Sequence, residues 1–271
     1  MPTEKRARQK AARREKLEAQ RRAAKRKKQI RTTGIVVVVA ALIITSVAVL
    51  ANSGKSKPAT TTTLPAAAAQ VAANKIAEKY GCPGSPDTTV TTPNWSTPPA
   101  YTLDASKNYY ATFKTTAGTF VEKLNTTTTK VNTNNFVFLA DHNYYKCTIF
   151  GRVLKGFVDQ GGFTNTTTQG GVNYKITENE YPTKASNAAK QYAFGDLAYA
   201  NSGSGTNGSQ FFVVAGPQGE ALPPSYTDIG TLVSGGDVVS LINEQGADIS
   251  SQTGTPTVIQ RVLNVKISNS L

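Results

Sequence analysis

The sequence predicts a mainly β domain, an antiparallel barrel of short strands capped by two α-helices, preceded by a transmembrane helix and a basic tail. Two strand-like runs, Tyr109–Thr115 and Gly118–Leu124, are separated by Ala117-Gly118, which is typical of a hairpin. Six further strand-like runs follow, at 148–153, 156–163, 192–200, 210–215, 226–233 and 257–268. Many short strands beside only two helical patterns favour an antiparallel barrel over βαβ units.

Two helices are expected inside this domain. Residues 131–141 carry apolar side chains at 131, 136, 137, 139 and 140, which predicts a short amphipathic helix. A second helix fits Gly236–Asn243, directly after Ser234 and Gly235.

Positive charge is concentrated at the N terminus. The 271-residue chain has a formal net charge of +13. Residues 1–33 hold 14 Lys or Arg and three Glu, a net of +11, whereas the remaining 238 residues hold 16 basic and 14 acidic side chains, a net of +2. The excess therefore belongs to a tail, for which nucleic-acid binding and contact with anionic lipid headgroups are the candidate roles.

An uncharged run of 18 residues, 34–51, follows the tail directly and is long enough to span a bilayer. Cations on its N-terminal side keep that side in the cytoplasm. We therefore expect a single-pass anchor in the cell membrane, a tail that contacts lipid headgroups, no nucleic-acid partner, and an extracytoplasmic domain. A cleaved signal peptide is the alternative, since Ala51-Asn-Ser53 offers a small-x-small site, although 33 residues form a long n-region.

Residues 52–100 are rich in Thr, Ala, Pro and Ser and are interpreted as a stalk, which places the globular domain at 101–271. Within the stalk, Val71–Tyr80 is compatible with a short helix, and the only tryptophan, Trp95, is a candidate for docking on the domain. The two cysteines, Cys82 and Cys147, allow a single pairing. In an exported segment a disulfide is favoured over two free thiols.

Covalent and metal chemistry have little support in the sequence. The only histidine, His142, is expected at the surface, and neither cysteine has a histidine beside it in the sequence. This argues against a thiol nucleophile, a Ser-His-Asp arrangement and a zinc site. We expect no cofactor and no metal.

The stretch Phe150–Phe163 places one guanidinium, that of Arg152, among apolar residues. Strand alternation would give Arg152 and Gln160 the same face and Phe157 the opposite one, so a turn at Gly156 must re-aim Phe157 if it is to meet Arg152. The planar fork of Arg152 indicates either a bound group or a structural pairing with a carboxylate, and the spacing alone leaves both open.

Five separated blocks carry a resemblance to a known family. They are Phe150-Gly-Arg-Val, Gly156-Phe157, Gln160-Gly-Gly, Tyr199-Ala-Asn201 and Thr206-Asn-Gly-Ser-Gln210-Phe-Phe212. In order and spacing, over roughly residues 101–268, they resemble the cyclophilin-type peptidyl-prolyl cis-trans isomerases. The resemblance implies a closed eight-stranded antiparallel barrel with two helices and proline-containing polypeptides as partners. The loop Leu222–Gly230 resembles a bacterial version, and together with the anchor expected at 34–51 this suggests a bacterial, membrane-anchored form.

The resemblance also implies roles for individual residues. Arg152 falls on the catalytic arginine, and Gln160 on the glutamine that orients it and meets the substrate. Asn201 falls on the asparagine whose backbone holds the peptide, with Ala200 and Ser202 beside it. The remaining substrate-binding positions are Phe157, Val158, Phe212 and Leu222 in an apolar pocket for proline, with Gln210 and Tyr226 as further wall residues. From pattern alone, Phe157 and Phe212 would belong to the barrel core.

The function predicted from these features is acceleration of X–Pro bond rotation in extracytoplasmic proteins during folding. A non-catalytic holdase that uses the same groove is the main alternative. A third interpretation makes the basic tail the principal element, in membrane or ribosome contact, with the domain as its cargo.

Overall fold

The computed structural model describes residues 65–167, 170–183, 191–251 and 253–271. Four helices and eight strands lie in this part of the chain: α1 Ala66–Lys79, β1 Tyr110–Thr115, β2 Thr119–Leu124, α2 Lys130–Asp141, β3 Arg152–Val153, β4 Val158–Gly161, β5 Leu197–Tyr199, β6 Phe211–Val214, α3 Pro217–Glu220, β7 Asp228–Ser234, α4 Gly236–Glu244 and β8 Val262–Ser268. The expected tail, the anchor at 34–51 and the first part of the stalk lie outside the described residues. Within the described ranges, no helix has the length and hydropathy needed to cross a membrane.

The eight strands form one sheet in the order β3-β4-β6-β5-β7-β2-β1-β8. Every pairing between neighbouring strands is antiparallel, so the prediction of eight antiparallel strands is confirmed. The closed barrel that was expected is instead a half-barrel. Its two end strands share no ladder. The chain before β3 links the ends, because Ile149 forms single bridges with Phe163 and with Arg261, and the N–H groups of Cys147 and Phe150 donate to Val262 and Gln260.

Both helices predicted for the domain are present, as α2 and α4. The one-turn helix α3 was not expected. It begins with Pro217 at its first helical position, where the missing N–H of proline costs nothing. The strands are mostly shorter than predicted, as at β5, because much of each apolar run continues as buried loop.

The main core lies between the concave face of the sheet and the helices, and it is rich in aromatic rings. Phe113 stacks on Phe120 with the ring centroids 4.6 Å apart. Phe211 meets Phe113 at 5.4 Å and Phe150 at 5.9 Å. All four rings are fully buried, so each contributes roughly 1.5–3 kcal/mol of burial free energy and together they fix β1, β2 and β6 around one centre.

The described part of the stalk packs on the domain. Helix α1 is longer than expected, and the carboxamide of Gln70 both donates to the carbonyl of Ile259 and accepts from its N–H. Cys82 and Cys147 form a disulfide. Trp95 docks edge-on against Phe138, with centroids 4.8 Å apart. The boundary at residue 101 stays a prediction, and the residues from 65 onward contact the domain closely.

Candidate active site

The β3–β4 hairpin brings together the two polar residues that the sequence singled out. Arg152 and Gln160 are direct cross-strand partners, so their side chains leave the same face of the sheet. Nη1 of Arg152 lies 3.5 Å from Oε1 of Gln160, at the limit of a hydrogen bond. Spacing in sequence and register in the sheet therefore agree for this pair.

The turn between these strands re-aims Phe157, as strand parity required. The N–H of Leu154 donates to the carbonyl of Val158, which closes the hairpin around three residues. Gly156 has a φ of +69°, a conformation that L side chains rarely adopt. Phe157 thereby leaves the alternation of the ladder and lines the same pocket as Arg152.

Across β4 and β6 the outer face of the sheet carries an apolar cluster separate from the main core. Phe212 is the direct partner of Gln160, and Val214 is the partner of Val158. Phe211, one residue earlier than Phe212, points into the main core, because successive strand residues face opposite ways. The expectation from pattern alone, that both Phe157 and Phe212 belong to the barrel core, is therefore wrong for this face.

The apolar cluster surrounds a cavity of about 240 Å³, which we call the apolar pocket. Phe212 meets Tyr226 edge to face, with centroids 5.2 Å apart. The hydroxyl of Tyr192 fixes the position of Tyr226 by donating to its carbonyl at 2.9 Å and accepting from its N–H at 3.1 Å. The residues that line the pocket are Arg152, Phe157, Val158, Gln160, Ala200, Asn201, Phe212, Leu222 and Tyr226.

A second cavity, of about 220 Å³, adjoins the first and is lined mainly by glycine and polar residues; we call it the polar pocket. Gln160, Ala200 and Asn201 line both cavities, whereas Ser202 and Gln210 line only this one. The other lining residues are Gly170, Gly171, Val172, Lys175, Thr206, Gly208 and Ser209. The predicted site residues thus divide between two neighbouring pockets of one groove.

A chain of side-chain amides joins the two pockets. Nε2 of Gln160 donates to Oε1 of Gln210 at 2.9 Å, and Nε2 of Gln210 donates to the carbonyl of Gly170 at 3.5 Å. The first bond leaves Oε1 of Gln160 directed toward Arg152. The groove therefore holds the guanidinium through a relay of neutral groups.

The electrostatics of the apolar pocket are simple. Its described lining contains one cation, Arg152, and no carboxylate, histidine, cysteine or serine. Within the same part of the chain, Arg152 forms no ion pair, so the alternative of a structural pairing with a carboxylate has no support there. The pocket can donate hydrogen bonds beside an apolar surface, and it offers no acid–base pair for covalent chemistry.

The backbone of Asn201 is available at the junction of the pockets. Its side chain is held, because Nδ2 donates to the carbonyl of Ser225 and Oδ1 accepts from the N–H of Gly203. Its own N–H and carbonyl have no partner among the described residues. An extended peptide could pair with both.

Several residues that position the groove were missed by the sequence reasoning. Asn135 of α2 donates to the carbonyl of Gly208 at 2.9 Å and to the hydroxyl of Tyr199 at 2.7 Å. Asn132 accepts from Nδ2 of Asn207 at 2.8 Å. The signal was present as a run of buried polar residues, 132–135, in an otherwise apolar helix. Buried amides of this kind must be satisfied, and here they are satisfied by the groove loops.

Comparison with known proteins identifies relatives of this domain. Residues 110–266 match the family model described as cyclophilin type peptidyl-prolyl cis-trans isomerase/CLD. A protein named peptidyl-prolyl cis-trans isomerase-like 3 from Dictyostelium discoideum is 39% identical over 116 residues, which cover 42% of this chain and 69% of the relative. Peptidyl-prolyl cis-trans isomerase-like 1 from Neurospora crassa is 32% identical over 153 residues, 56% of this chain and 92% of the relative.

Solved structures agree on the fold. The crystal structure of a cyclophilin type peptidyl-prolyl cis-trans isomerase from Cryptosporidium parvum superposes with a TM-score of 0.50 and 24% identity, over 60% of this chain and 99% of that one. The same protein has also been solved in the presence of the dipeptide Ala-Pro. All these relatives come from eukaryotes, so the bacterial origin suggested by the 222–230 loop stays a prediction.

Proposed function

The chain belongs to the cyclophilin-type peptidyl-prolyl cis-trans isomerase family and is an enzyme of that class, and on this premise we propose how its own residues act. The proposal is that Arg152 and the apolar pocket accelerate X–Pro rotation by stabilising the twisted amide without any covalent step. The observation that carries it is a guanidinium free of ion pairs, within the described chain, at the wall of a 240 Å³ apolar pocket.

The reaction itself needs no nucleophile. Rotation about a peptide bond has a barrier of roughly 18–20 kcal/mol because amide resonance is lost in the twisted state. As the bond twists, the prolyl nitrogen becomes pyramidal and regains a lone pair. A donor placed at that nitrogen stabilises the twisted amide more than either planar form, and only such selective stabilisation raises the rate.

Arg152 can supply this donor without any proton transfer, because a guanidinium carries five N–H donors in a fixed planar fork. The rings of Phe157, Phe212 and Tyr226 would hold the pyrrolidine ring while the carbonyl side of the bond rotates. Gln160, oriented by Gln210, would hold the guanidinium and meet the substrate carbonyl. The open N–H and carbonyl of Asn201 would pair with the extended peptide, with Ser202 and Gln210 farther along the polar pocket.

For the cellular role we propose a membrane-anchored, bacterial form that acts on extracytoplasmic proteins, with 34–51 as the anchor and the tail on anionic lipid headgroups. The Cys82–Cys147 disulfide supports this, since disulfides persist in oxidising compartments outside the cytoplasm. X–Pro isomerisation is slow enough to limit folding of secreted chains. Sedimentation with membranes after alkaline extraction, lost on deletion of 34–51, is the expected result; a soluble full chain would overturn the anchor.

The deciding experiment measures cis-to-trans isomerisation of a short X–Pro peptide by the full chain and by Arg152→Ala. We expect kcat/KM to fall by roughly 10²- to 10³-fold, the usual cost of removing a donor aimed at the transition state. Lys155→Ala is the matched control, since it removes an exposed cation from the same hairpin and should leave the rate unchanged.

The same experiment addresses the holdase alternative. A parent chain that binds the peptide in the groove without accelerating rotation would support a binding module and contradict the proposed mechanism. An active parent whose Arg152→Ala variant keeps full activity would instead remove Arg152 from the mechanism.

A further inference from the structure

The hairpin that carries Arg152 and Gln160 is held from behind by one side chain of helix α4. Nδ2 of Asn243 donates to the carbonyl of Leu154 at 2.9 Å and to Oδ1 of Asp159 at 2.7 Å. Its Oδ1 accepts from the N–H of Gly156 at 2.8 Å. The carboxamide of Asn243 is buried, and its donors and its acceptor are all engaged by the hairpin.

These three contacts lie at the positions that set the direction of the site residues. Leu154 and Gly156 belong to the turn that takes Phe157 out of the strand alternation, and Gly156 already has a φ of +69°. Asp159 is the cross-strand partner of Val153, beside Gln160 and Arg152. Asn243 therefore contacts both the turn and the strand positions next to the polar pair.

The hairpin needs such support because β3 has only two residues and lies at the end of the sheet. A short two-stranded hairpin is at best marginally stable by itself. The backbone after α4 adds three hydrogen bonds: the N–H of Ala247 donates to Val153, the N–H of Lys155 donates to Ala247, and the N–H of Val153 donates to Gly254. The N–H groups of Ala215 and Gln218 also donate to the turn, but these are backbone bonds. Among the described residues, the side-chain hydrogen bonds to the turn come from Asn243, and substitution can remove them.

We propose that Asn243 is a positioning residue for isomerisation: its carboxamide fixes the 154–157 turn so that Phe157 and Arg152 face one pocket. Asp159 is the second member of this brace, since it accepts one of the two donors of Asn243. Neither residue lines the apolar or the polar pocket, so neither touches the substrate. This inference rests on the proposed function, because it assigns the brace to the same site.

The test compares the full chain with Asn243→Ala, using kcat, KM and the hydrogen-exchange protection of the Gly156 amide. We expect kcat/KM to fall roughly 10- to 100-fold, because small displacements of catalytic groups carry penalties of this size. The Gly156 amide should exchange faster while amides of β6 keep their protection. Glu244→Ala, an exposed neighbour on the same helix, should match the parent in all three measurements.

A double-mutant cycle separates positioning from general destabilisation. If Asn243 acts through Phe157, the loss caused by Asn243→Ala should be much smaller when Phe157→Ala is already present. A residue that only stabilises the fold would lower activity by the same factor in both backgrounds, and that outcome would overturn the proposal.

Exchanging the two side chains of the brace, as Asn243→Asp with Asp159→Asn, tests whether the lost activity can be restored. Asn243→Asp alone buries a second carboxyl group at the 2.7 Å contact with Asp159 and removes the amide donor to the carbonyl of Leu154, so it should impair the enzyme at least as much as Asn243→Ala. Combining it with Asp159→Asn lets the introduced amide donate to the introduced carboxylate, while the bond from the Gly156 N–H is kept. We expect the pair to recover a large part of kcat/KM. If the kcat/KM of the double variant were no higher than that of Asn243→Asp, the result would count against the brace.

Failure of this inference is distinguishable from failure of the proposed function. An active parent with an unaffected Asn243→Ala variant overturns the brace alone. An inactive parent overturns the proposed function, and the exchange of the Gly156 amide together with peptide affinity then still decides whether Asn243 holds the turn.

Discussion

The apolar and polar pockets adjoin in one groove, but different parts of the chain hold them. Arg152, Gln160 and Phe212 of the apolar pocket are neighbours in adjacent strands, and their positions follow from the register of β3, β4 and β6. One wall of the polar pocket is formed by residues 170–172, and the loop to which they belong, described at 163–167 and 170–173, is held by residues about 75 to 80 positions earlier in the chain.

The earlier residues, 82–95, form what we call the upstream segment, and several hydrogen bonds join them to the loop. The N–H of Val90 donates to the carbonyl of Thr164 at 3.0 Å. The side chain of Asn94 donates to the carbonyl of Gly171 at 3.1 Å and accepts from the N–H of Asn173 at 2.9 Å. One pocket is thus built by the sheet, whereas its neighbour depends on a segment that the sequence presents as stalk. The two should therefore respond differently to the same perturbation.

The largest expected effect comes from removing the disulfide that ties the upstream segment to the domain. Cys82→Ser with Cys147→Ser opens a loop of 65 residues, and the chain-entropy relation gives a loss of about 4 kcal/mol in the free energy of unfolding. Denaturant unfolding of the two proteins under one set of conditions measures it. Buried Arg261 should limit the local damage, because it still donates to the carbonyls of Cys147 and Ser85.

The disulfide variant also tests the comparison directly. At a temperature where it is folded, its kcat/KM on a short X–Pro peptide should stay within a few-fold of the parent, since such a peptide needs only the apolar pocket. Longer peptides that reach the polar pocket should lose affinity. Equal losses for both peptide lengths would show that the two pockets are not held separately.

The same contrast explains what could be predicted from the sequence. Strand alternation, a glycine at the turn and the block spacing located Arg152, Gln160 and Phe157 correctly on one hairpin, because register carries that information. Asn94, Asn132, Asn135 and Asn243 carry no local pattern that reveals their partners. An amide can satisfy almost any backbone group, so its partner is set by the tertiary fold and only the structure identifies it.

The brace behind the apolar pocket contains a buried carboxyl group, that of Asp159. Burial raises the pKa of Asp159 to about 8, and the hydrogen bond from Asn243 acts in the opposite direction. The folded protein therefore holds this proton more tightly than the unfolded chain, whose carboxyl titrates near 3.8. The stabilising contribution is complete below about pH 4 and is lost as the pH rises toward 8.

Asp159→Asn should remove this pH dependence, because a carboxamide does not titrate and keeps an oxygen that can accept from Asn243. At pH 9 we expect the variant to be more stable than the parent by on the order of 2 kcal/mol, since each pKa unit corresponds to about 1.4 kcal/mol and relaxation offsets part of the burial cost. Urea unfolding at pH 5, 7 and 9 measures the difference. Burial also raises the pKa of Glu122. Because Glu122 is present in both proteins, its contribution cancels in the difference between their free energies of unfolding. If the difference in the free energy of unfolding were the same at all three pH values, Asp159 would not be the source of the pH dependence.

The smallest expected effect is that of substituting Asn94, whose side chain supports the wall of the polar pocket and does not line the apolar pocket. Asn94→Ala removes two exposed hydrogen bonds to the 171–173 backbone and an exposed one from the N–H of Trp95, so the free energy of unfolding should fall by only about 1 kcal/mol. Turnover of a short X–Pro peptide should not change, because among the described residues the side-chain hydrogen bonds that connect the apolar pocket to this loop run through Gln160 and Gln210. The KM for a longer peptide should rise a few-fold, as the Gly170–Gly171 wall loosens. Asn173→Ala is the matched control, since the bond to Asn94 comes from its backbone and survives the change. A KM that rises equally for short and long peptides would mean that the loop acts on Arg152 through the glutamine relay, and the two pockets would then be one mechanical unit.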